Sequence, residues 1–236
     1  MIGKWFTRTG DRSKIFLATK FGRDGIPPAC VIRSDPEYVK VACEKSLKRL
    51  GISKIDLYLA QRLDGKVPIE KTVQAMVTLK NEGKIDYLGL SEVSAATLRR
   101  ACKVHHISAV EVEYSPFAME IESEQVNLLD TCRELGVAVI GYSPLGRGMF
   151  SGRYKSAADF PKGDPRVLFP RFSAENFPKN FVLVEKLVEL ASHKRCTPAQ
   201  LTLAVSPSPF FPRNVFHWSH HNLPLRSVTP KSLLPY

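Results

Sequence analysis

A chain of 236 residues with 44% hydrophobic content can bury a sizeable core, and its length is near the roughly 250 residues of one α/β barrel. No apolar run approaches the roughly 20 residues that a membrane-spanning helix needs, so we expect no membrane association. The formal net charge is +11. Because the basic residues are dispersed among acids, this charge indicates a solvated surface and not a nucleic-acid partner.

The cysteines indicate a reducing compartment. They are odd in number, far apart and without CxxC spacing, which argues against a disulfide framework and against a zinc site. The N-terminal sequence MIGKWFTRTGDRSK also lacks the long apolar segment of a secretory signal. We therefore expect a cytosolic (cytoplasmic) protein with unpaired thiols at Cys30, Cys43, Cys102, Cys132 and Cys196.

Five short apolar segments, each followed by a polar loop and an amphipathic helix, predict parallel strands joined by helical crossovers. This order is typical of an α/β barrel or of a doubly wound sheet. A closed barrel needs eight strands, so the sequence falls short of one. The five segments are residues 14–20, 55–61, 87–91, 109–114 and 137–143.

Capping residues and glycines mark the predicted helix ends. Asp35 and Pro36 supply a cap and a first-turn proline, and Gly51 follows the last helical position. Similar signals place Ser94 as the cap of a shorter helix. The predicted helices cover residues 36–50, 68–82, 95–103, 122–135 and 178–194, with a last one after Thr197.

A long loop over residues 144–176, rich in Gly, Pro, Arg and Phe, follows the fifth strand. Loops of this length are usually functional lids or disordered segments, and both interpretations stay open. Tyr154, Phe160 and Phe169 either shape a substrate pocket or pack the loop onto the core.

Residues 205–236 form a tail with six prolines, three histidines, no acid and no glycine. It shows neither helical nor strand periodicity, which predicts a disordered or out-of-frame segment. His217, His220 and His221 lack the acid or cysteine that would complete a metal site, so we expect no metal. The PxxP match at residues 209–212 is expected by chance in a proline-rich stretch.

The chemically reactive side chains fall at the C-terminal ends of the predicted strands. In α/β barrels the active site is built from this rim. The side chains are Lys20, Gln61, Ser91, Glu111 and Tyr142.

Several motifs in a fixed order carry a family resemblance. FLATKFG, SLKRLGISKIDLYLAQRLD, EGKIDYLGLSEVS, AVEVEYSP and GVAVIGYSPLGRG follow one another along the chain. Over about residues 2–204 the sequence resembles the NADP(H)-dependent aldo-keto reductases, in particular the fungal pyridoxal-reductase and aryl-alcohol-dehydrogenase type. The resemblance implies an α/β fold, an incomplete (β/α)8 TIM barrel with about five to six strands. It also implies NADPH as cofactor and a small-molecule carbonyl substrate.

The resemblance assigns a role to each matched position. Lys20, expected to be buried beside the barrel mouth, matches the lysine that assists the catalytic tyrosine. Ser91 and Glu92 match the pair beside the nicotinamide carboxamide, and Tyr142 matches the aromatic ring that stacks on the nicotinamide. A glycine-containing turn with an arginine suits a phosphate anion. The matching pyrophosphate loop consists of Ser143, Leu145, Gly146 and Arg147.

Departures from the family pattern affect the catalytic positions. The family's aspartate and tyrosine lie in a DTAxxYG segment, and this chain begins after the position of that segment. Gln61 takes the place of the histidine, and a glutamine donates a hydrogen bond but carries no charge. Glu111 stands where most members have glutamine. Lack of the acid predicts a rate lower by on the order of 10²–10⁴.

Three functional hypotheses follow from the sequence. The first is an NADP(H)-dependent reductase of aldehydes or ketones, impaired in this chain, with Lys20 and Gln61 at the catalytic positions. The second is a non-catalytic relative that keeps dinucleotide binding or serves as a subunit. The third is an inactive truncated isoform. The predicted domain organisation is a partial barrel over residues 1–204 and a tail over residues 205–236.

Overall fold

The protein's structure, a computed structural model, describes residues 1–25 and 29–205. The chain divides into two compact units. The first unit consists of Met1–Val112 and Ile121–Ile140, and the second of Glu113–Glu120 and the chain from Gly141 onward. The predicted tail, with His217, His220, His221 and the PxxP match, lies outside the described residues, so its boundary stays a prediction.

Strands and helices alternate through the first unit, as predicted. The five predicted strands are confirmed, with shifts at their ends; the first begins at Ala18 and not at Lys14. The elements are α1 (Ile2–Thr9), β1 (Ala18–Phe21), β2 (Arg23–Asp24), β3 (Val31–Ile32), α2 (Pro36–Leu50), β4 (Ile55–Ala60), α3 (Ile69–Asn81), β5 (Ile85–Ser91), α4 (Ala95–Val104), β6 (Ala109–Glu113), α5 (Leu128–Leu135) and β7 (Ala138–Tyr142), followed in the second unit by α6 (Phe177–His193) and α7 (Pro198–Val205). Strands β6 and β7 end in residues that belong to the second unit.

The main sheet has the strand order β1-β4-β5-β6-β7, and the pairs β1–β4, β4–β5 and β5–β6 are parallel. Lys20 pairs with Leu59, Leu59 with Gly89, and Ser91 with Glu111. Paired residues in a sheet point to the same face, and side chains alternate along each strand. One face, which we call the polar-ended face, therefore carries Ala18, Lys20, Leu57, Leu59, Tyr87, Gly89, Ser91, Ala109 and Glu111.

The opposite face of the sheet packs against helices. Its residues Tyr58, Leu88 and Leu90 are completely buried, as are Val73 and Met76 of α3. The Tyr58 hydroxyl lies in this layer and donates a hydrogen bond to the Val39 carbonyl of α2, at 3.1 Å. Burial of apolar surface on both sides of these strands supplies the main stabilisation of the sheet.

The predicted ends of α2 and α4 are confirmed. The Asp35 carboxylate accepts a hydrogen bond from the Tyr38 amide (3.0 Å), and the Ser94 hydroxyl accepts one from the Thr97 amide (3.2 Å). The predicted start of α5 at residue 122 is wrong, because the helix begins only at Leu128. Hydrogen bonds of residues 126 and 127 to Ser123 close a turn there instead.

The loop over residues 144–176 has local structure that neither predicted alternative specified, and its role as a lid stays a prediction. It forms a series of short 3-10 turns whose side chains pack onto α6. Tyr154 and Phe160 are buried in this packing, so the packed-loop interpretation holds for them, whereas Phe169 is 38% exposed. The buried cluster is Met149, Phe150, Tyr154, Phe160, Phe172, Phe177 and Val184.

The five cysteines are free thiols, as predicted. Burial raises the pKa of the Cys43 and Cys132 thiols to about 12, so both stay protonated and chemically inert at neutral pH. In the described part of the chain, every helix is too short or too polar to cross a membrane.

Gly89 sits at a crowded point of the polar-ended face. A Cβ atom placed there would lie 2.8 Å from Leu59 Cγ and 3.2 Å from Leu57 Cδ1. We predict that Gly89→Ala lowers the free energy of unfolding by about 1–3 kcal/mol because the added methyl overpacks this site. Urea unfolding of Gly89→Ala, Leu59→Ala and the double variant tests the prediction. The cost of Gly89→Ala should shrink when Leu59→Ala is also present, and strictly additive costs would contradict the proposed clash.

Candidate functional site

Lys20 and Glu111 form an ion pair on the polar-ended face. Lys20 Nζ lies 2.6 Å from Glu111 Oε1. The glutamate is nearly buried, with 11% of its side chain exposed, whereas 37% of the lysine side chain is exposed. The expectation of a buried lysine is therefore not met: the ammonium meets a carboxylate, and the side chain as a whole is partly exposed.

This ion pair shows that the sheet curls. Strands β1 and β6 are separated by β4 and β5 in the sheet. With strands about 4.8 Å apart, a flat sheet would hold β1 and β6 about 14 Å from each other. Since side chains stand roughly perpendicular to a sheet, a contact between Lys20 and Glu111 requires the strands to bend toward each other on this face. The polar-ended face is therefore the concave face of the sheet.

Ser91 and Glu92 lie beside the ion pair. Ser91 is buried and is the register partner of Glu111 on the neighbouring strand. Glu92 has a φ of +53°, which a non-glycine residue rarely adopts, and its amide donates to the Glu111 carbonyl at 2.9 Å. This backbone hydrogen bond extends the β5–β6 pairing by one residue and fixes the end of β5.

Gln61 follows β4 and is half-buried. Its backbone amide donates a hydrogen bond to the Phe21 carbonyl at 2.8 Å, which prolongs the pairing of β1 with β4. Gly22 makes this approach possible, because a Cβ atom there would lie 2.8 Å from the Arg62 carbonyl oxygen. Gln61 follows Leu59 by two positions, so strand alternation assigns it to the concave face that carries Lys20.

The second unit holds the other five predicted residues. Tyr142 ends β7, and its carbonyl accepts a hydrogen bond from the Tyr114 amide at 3.2 Å. A tight turn follows, in which the Gly146 amide donates to the Ser143 carbonyl at 2.9 Å. We call this segment the phosphate turn, because the sequence predicts that it binds phosphate; its members are Tyr142, Ser143, Leu145, Gly146 and Arg147. Left-handed backbone recurs in it, with φ of +54° at Ser143, +55° at Gly146 and +57° at Arg147.

Packing explains why glycine is required in the phosphate turn. A Cβ atom on Gly146 would lie 2.8 Å from the Phe150 ring and 3.0 Å from the Phe117 ring. The two rings stack on each other with centroids 4.5 Å apart. Strained backbone of this kind persists only where the surroundings enforce it, and it is common at ligand sites.

The Arg147 side chain is held by a carboxylate and a ring. Its Nη2 lies 3.7 Å from Glu113 Oε2, and its guanidinium lies over the Phe169 ring at 4.4 Å. A second arginine, Arg171, donates to the other oxygen of the same carboxylate, with Nη1 2.9 Å from Glu113 Oε1. Two guanidinium groups therefore share one glutamate.

Sequence reasoning missed Glu113, Phe169 and Arg171 as members of this cluster. A signal for Glu113 exists in the sequence, because AVEVEY places two acids at alternate positions of an otherwise apolar strand. A charged residue in such a strand is seldom buried unless it is paired. No comparable signal points to Arg171, which lies 58 residues further along the chain.

The two units present side chains that suit different ligand groups. The first presents an ammonium, a nearly buried carboxylate and a hydroxyl on one face, which suits hydrogen bonding to a neutral amide and to a polarised oxygen. The second presents arginines at a glycine turn, which suits a phosphate group. Within the described residues, no group of three His, Cys, Asp or Glu side chains is placed to hold a metal ion.

Comparison with known proteins identifies the family. The family model described as Aldo/keto reductase family matches residues 1–205. The chain belongs to the aldo/keto reductase family. It is 53% identical over 204 residues to the aldo-keto reductase str7 of Strobilurus tenacellus. It is 49% identical over 205 residues to the aldo-keto reductase yakc of Schizosaccharomyces pombe, whose name carries NADP(+). Each alignment covers 86% of this chain, which spans 60% of the length of either relative.

Solved structures of this family share the fold. A glycerol dehydrogenase from Gluconobacter oxydans superposes with a TM-score of 0.77 at 25% identity, over 86% of this chain and 62% of that one. A holo-form aldo-keto reductase from Bacillus halodurans gives a TM-score of 0.58 at 30% identity, over 69% of this chain and 52% of that one. The expected α/β fold of the aldo-keto reductase barrel type is confirmed, with a five-stranded main sheet in the described residues.

The ion pair yields a stability prediction. Lys20→Met leaves the Glu111 carboxylate nearly buried without its cation, so we expect the free energy of unfolding to fall by about 1–3 kcal/mol. The double variant Lys20→Met/Glu111→Gln carries no buried charge and should recover most of that loss. Urea unfolding measures both variants. The control is Lys45→Met on the exposed surface of α2, which should change the free energy of unfolding by no more than about 0.5 kcal/mol. Equal destabilisation by the single and double variants would contradict the pairing.

Proposed function

We propose that this chain provides the nicotinamide-binding part of an NADP(H)-dependent oxidoreductase that reduces an aldehyde or ketone to an alcohol. The observation that carries the proposal is the partly exposed Lys20 side chain, whose ammonium is held by Glu111 next to Ser91 on the concave face. The name of the Schizosaccharomyces pombe relative, an aldo-keto reductase with NADP(+), supports both the reaction class and the cofactor.

The residues of the first unit fit the amide end of a nicotinamide. The Ser91 hydroxyl can donate to a carboxamide oxygen, and the Glu111 carboxylate can accept from a carboxamide NH₂. Both side chains are buried and are register partners, so they would hold an amide in one orientation. When bound, the cofactor would supply the hydride that adds to the carbonyl carbon.

The phosphate turn of the second unit, taken by itself, fits a phosphate group. Left-handed residues around Gly146 let the backbone approach a ligand closely, and Arg147 presents a planar fork of donors that matches phosphate oxygens. Tyr142, at the end of β7, is proposed as the ring that packs on the nicotinamide. Ser143 and Leu145 complete the turn by forming its closing hydrogen bonds through their carbonyl groups.

Lys20 and Gln61 are the proposed catalytic positions. Hydride addition would leave negative charge on the carbonyl oxygen, and a positioned ammonium would lower the energy of that charge. A proton taken up from solvent water would then complete the alcohol. Gln61 would orient the carbonyl by donating a hydrogen bond from its side-chain amide. Glu111 fixes the position of the Lys20 ammonium but also offsets part of its charge.

One observation favours a second function, dinucleotide binding without turnover. Lys20 already shares its charge with Glu111 at 2.6 Å, and Gln61 brings no charge to the concave face. Both features weaken electrostatic stabilisation of an oxyanion while they leave the hydrogen bonds to a carboxamide intact.

The test is to measure NADPH binding and turnover separately. NADPH titration by nicotinamide fluorescence gives the Kd, and NADPH oxidation with a panel of aldehydes gives kcat. We predict that Lys20→Met leaves the Kd within about 3-fold and lowers kcat by about 10²-fold or more, since its charge acts on the transition state. Lys45→Met is the matched control and should change neither value.

The possible outcomes separate the two functions. Turnover by the unmodified chain that is lost in Lys20→Met supports the reductase. Tight NADPH binding with no turnover of any aldehyde favours the binding function. Failure of the unmodified, folded chain to bind NADPH would contradict both.

A further inference from the structure

Arg171 occupies a rigid position beside the phosphate turn. It lies in the short 3-10 turn Pro170–Phe172, whose Phe172 is buried in the aromatic cluster. The Asn180 side-chain amide donates to the Arg171 carbonyl at 2.9 Å, and the Asn176 side-chain amide donates to the Pro170 carbonyl at 3.0 Å. The backbone that carries Arg171 is therefore fixed to α6 and to Asn176, the residue that precedes α6. This limits the conformational entropy lost when Arg171 binds a ligand.

Glu113 places Arg171 and Arg147 next to each other. The carboxylate accepts from Arg171 Nη1 at 2.9 Å on one oxygen and faces Arg147 Nη2 at 3.7 Å on the other. Two guanidinium groups against opposite oxygens of one carboxylate lie within reach of a ligand that carries two adjacent anionic groups. A pyrophosphate is such a ligand, because each of its phosphorus atoms bears acceptor oxygens.

The electrostatics of this cluster favour an anion. Two arginines and one glutamate leave one net positive charge. The neighbouring Arg166 adds none, because Asp164 neutralises it with Nη2 2.7 Å from Oδ2. About a third of the Arg147 and Arg171 side chains is exposed, against 17% for Glu113. An anion arriving from solvent would therefore meet the guanidinium groups before it meets the carboxylate.

From these observations we infer that Arg171 is a second pyrophosphate ligand, which acts together with Arg147 on the dinucleotide. Glu113 is a positioning residue that keeps the two guanidinium groups together. This inference rests on the proposed function, because it assigns another residue to the same cofactor site.

Binding measurements with three ligands test the inference. Calorimetric titration of the full chain with NADPH, NADH and inorganic pyrophosphate gives a Kd for each. Arg171→Gln should raise all three values by about 10-fold, through loss of one charge-assisted hydrogen bond. The increase should be equal for NADPH and NADH, since the two share the pyrophosphate. Arg171→Lys keeps the charge but loses the fork, so its values should fall between those of Arg171→Gln and the unmodified chain.

Two controls distinguish ligand binding from loss of structure. Arg153→Gln removes an exposed arginine from the same loop and should leave every Kd unchanged. Thermal unfolding followed by near-ultraviolet circular dichroism verifies that the aromatic cluster stays packed in each variant. If Arg171→Lys is folded but its Kd values are as high as those of Arg171→Gln, the charge of residue 171 does not contribute to binding. That result would overturn the inference.

The remaining outcomes separate this inference from the proposed function. If Arg147→Gln weakens binding and Arg171→Gln does not, Arg171 is not a ligand and the proposed function stands. If Arg171→Gln weakens NADPH binding but not NADH binding, the residue acts on the 2′-phosphate and the inference is wrong. If the unmodified chain binds none of the three ligands, the proposed function and this inference both fail.

Discussion

The polar site of the first unit depends on the curl of its sheet, and that curl is seen in the ion pair between Lys20 and Glu111. It joins two strands that are not neighbours in the sheet, so it exists only while the sheet keeps its curl. A row of register partners, Leu59, Gly89 and Ala109, runs across the concave face from Lys20. The Leu59 and Leu57 side chains fill the space above Gly89, so this part of the face is packed.

Two glutamates of β6 create different electrostatic settings in the two units. In the first unit, the charges of Lys20 and Glu111 cancel, so the concave face is polar but close to neutral. In the second unit, two arginines share Glu113, which leaves a positive cluster at a glycine turn. Taken by itself, the first setting suits a neutral amide and the second suits an anionic phosphate group. Charge is thus organised locally at each unit, although the overall charge of +11 is dispersed.

The elements of the fold could be predicted from local sequence wherever a short-range signal decides the structure. Asp35 and Ser94 begin their helices as their capping side chains require, and each strand of the main sheet lies in a mostly apolar run. Local reasoning failed at α5, where Ser123 closes a turn that competes with the helix. The site needed long-range information. The partner of Lys20 lies 91 residues away, and only the parallel register with a curled sheet brings the two together.

The central proposal is that the Lys20 ammonium faces a bound nicotinamide. A crystal structure of the full chain with NADP⁺ tests it most directly. The account predicts that the carboxamide contacts Ser91 and Glu111, with the Lys20 ammonium against the reactive side of the ring. A nicotinamide bound away from the concave face, with the ion pair intact and its ammonium open to bulk solvent, would contradict the account.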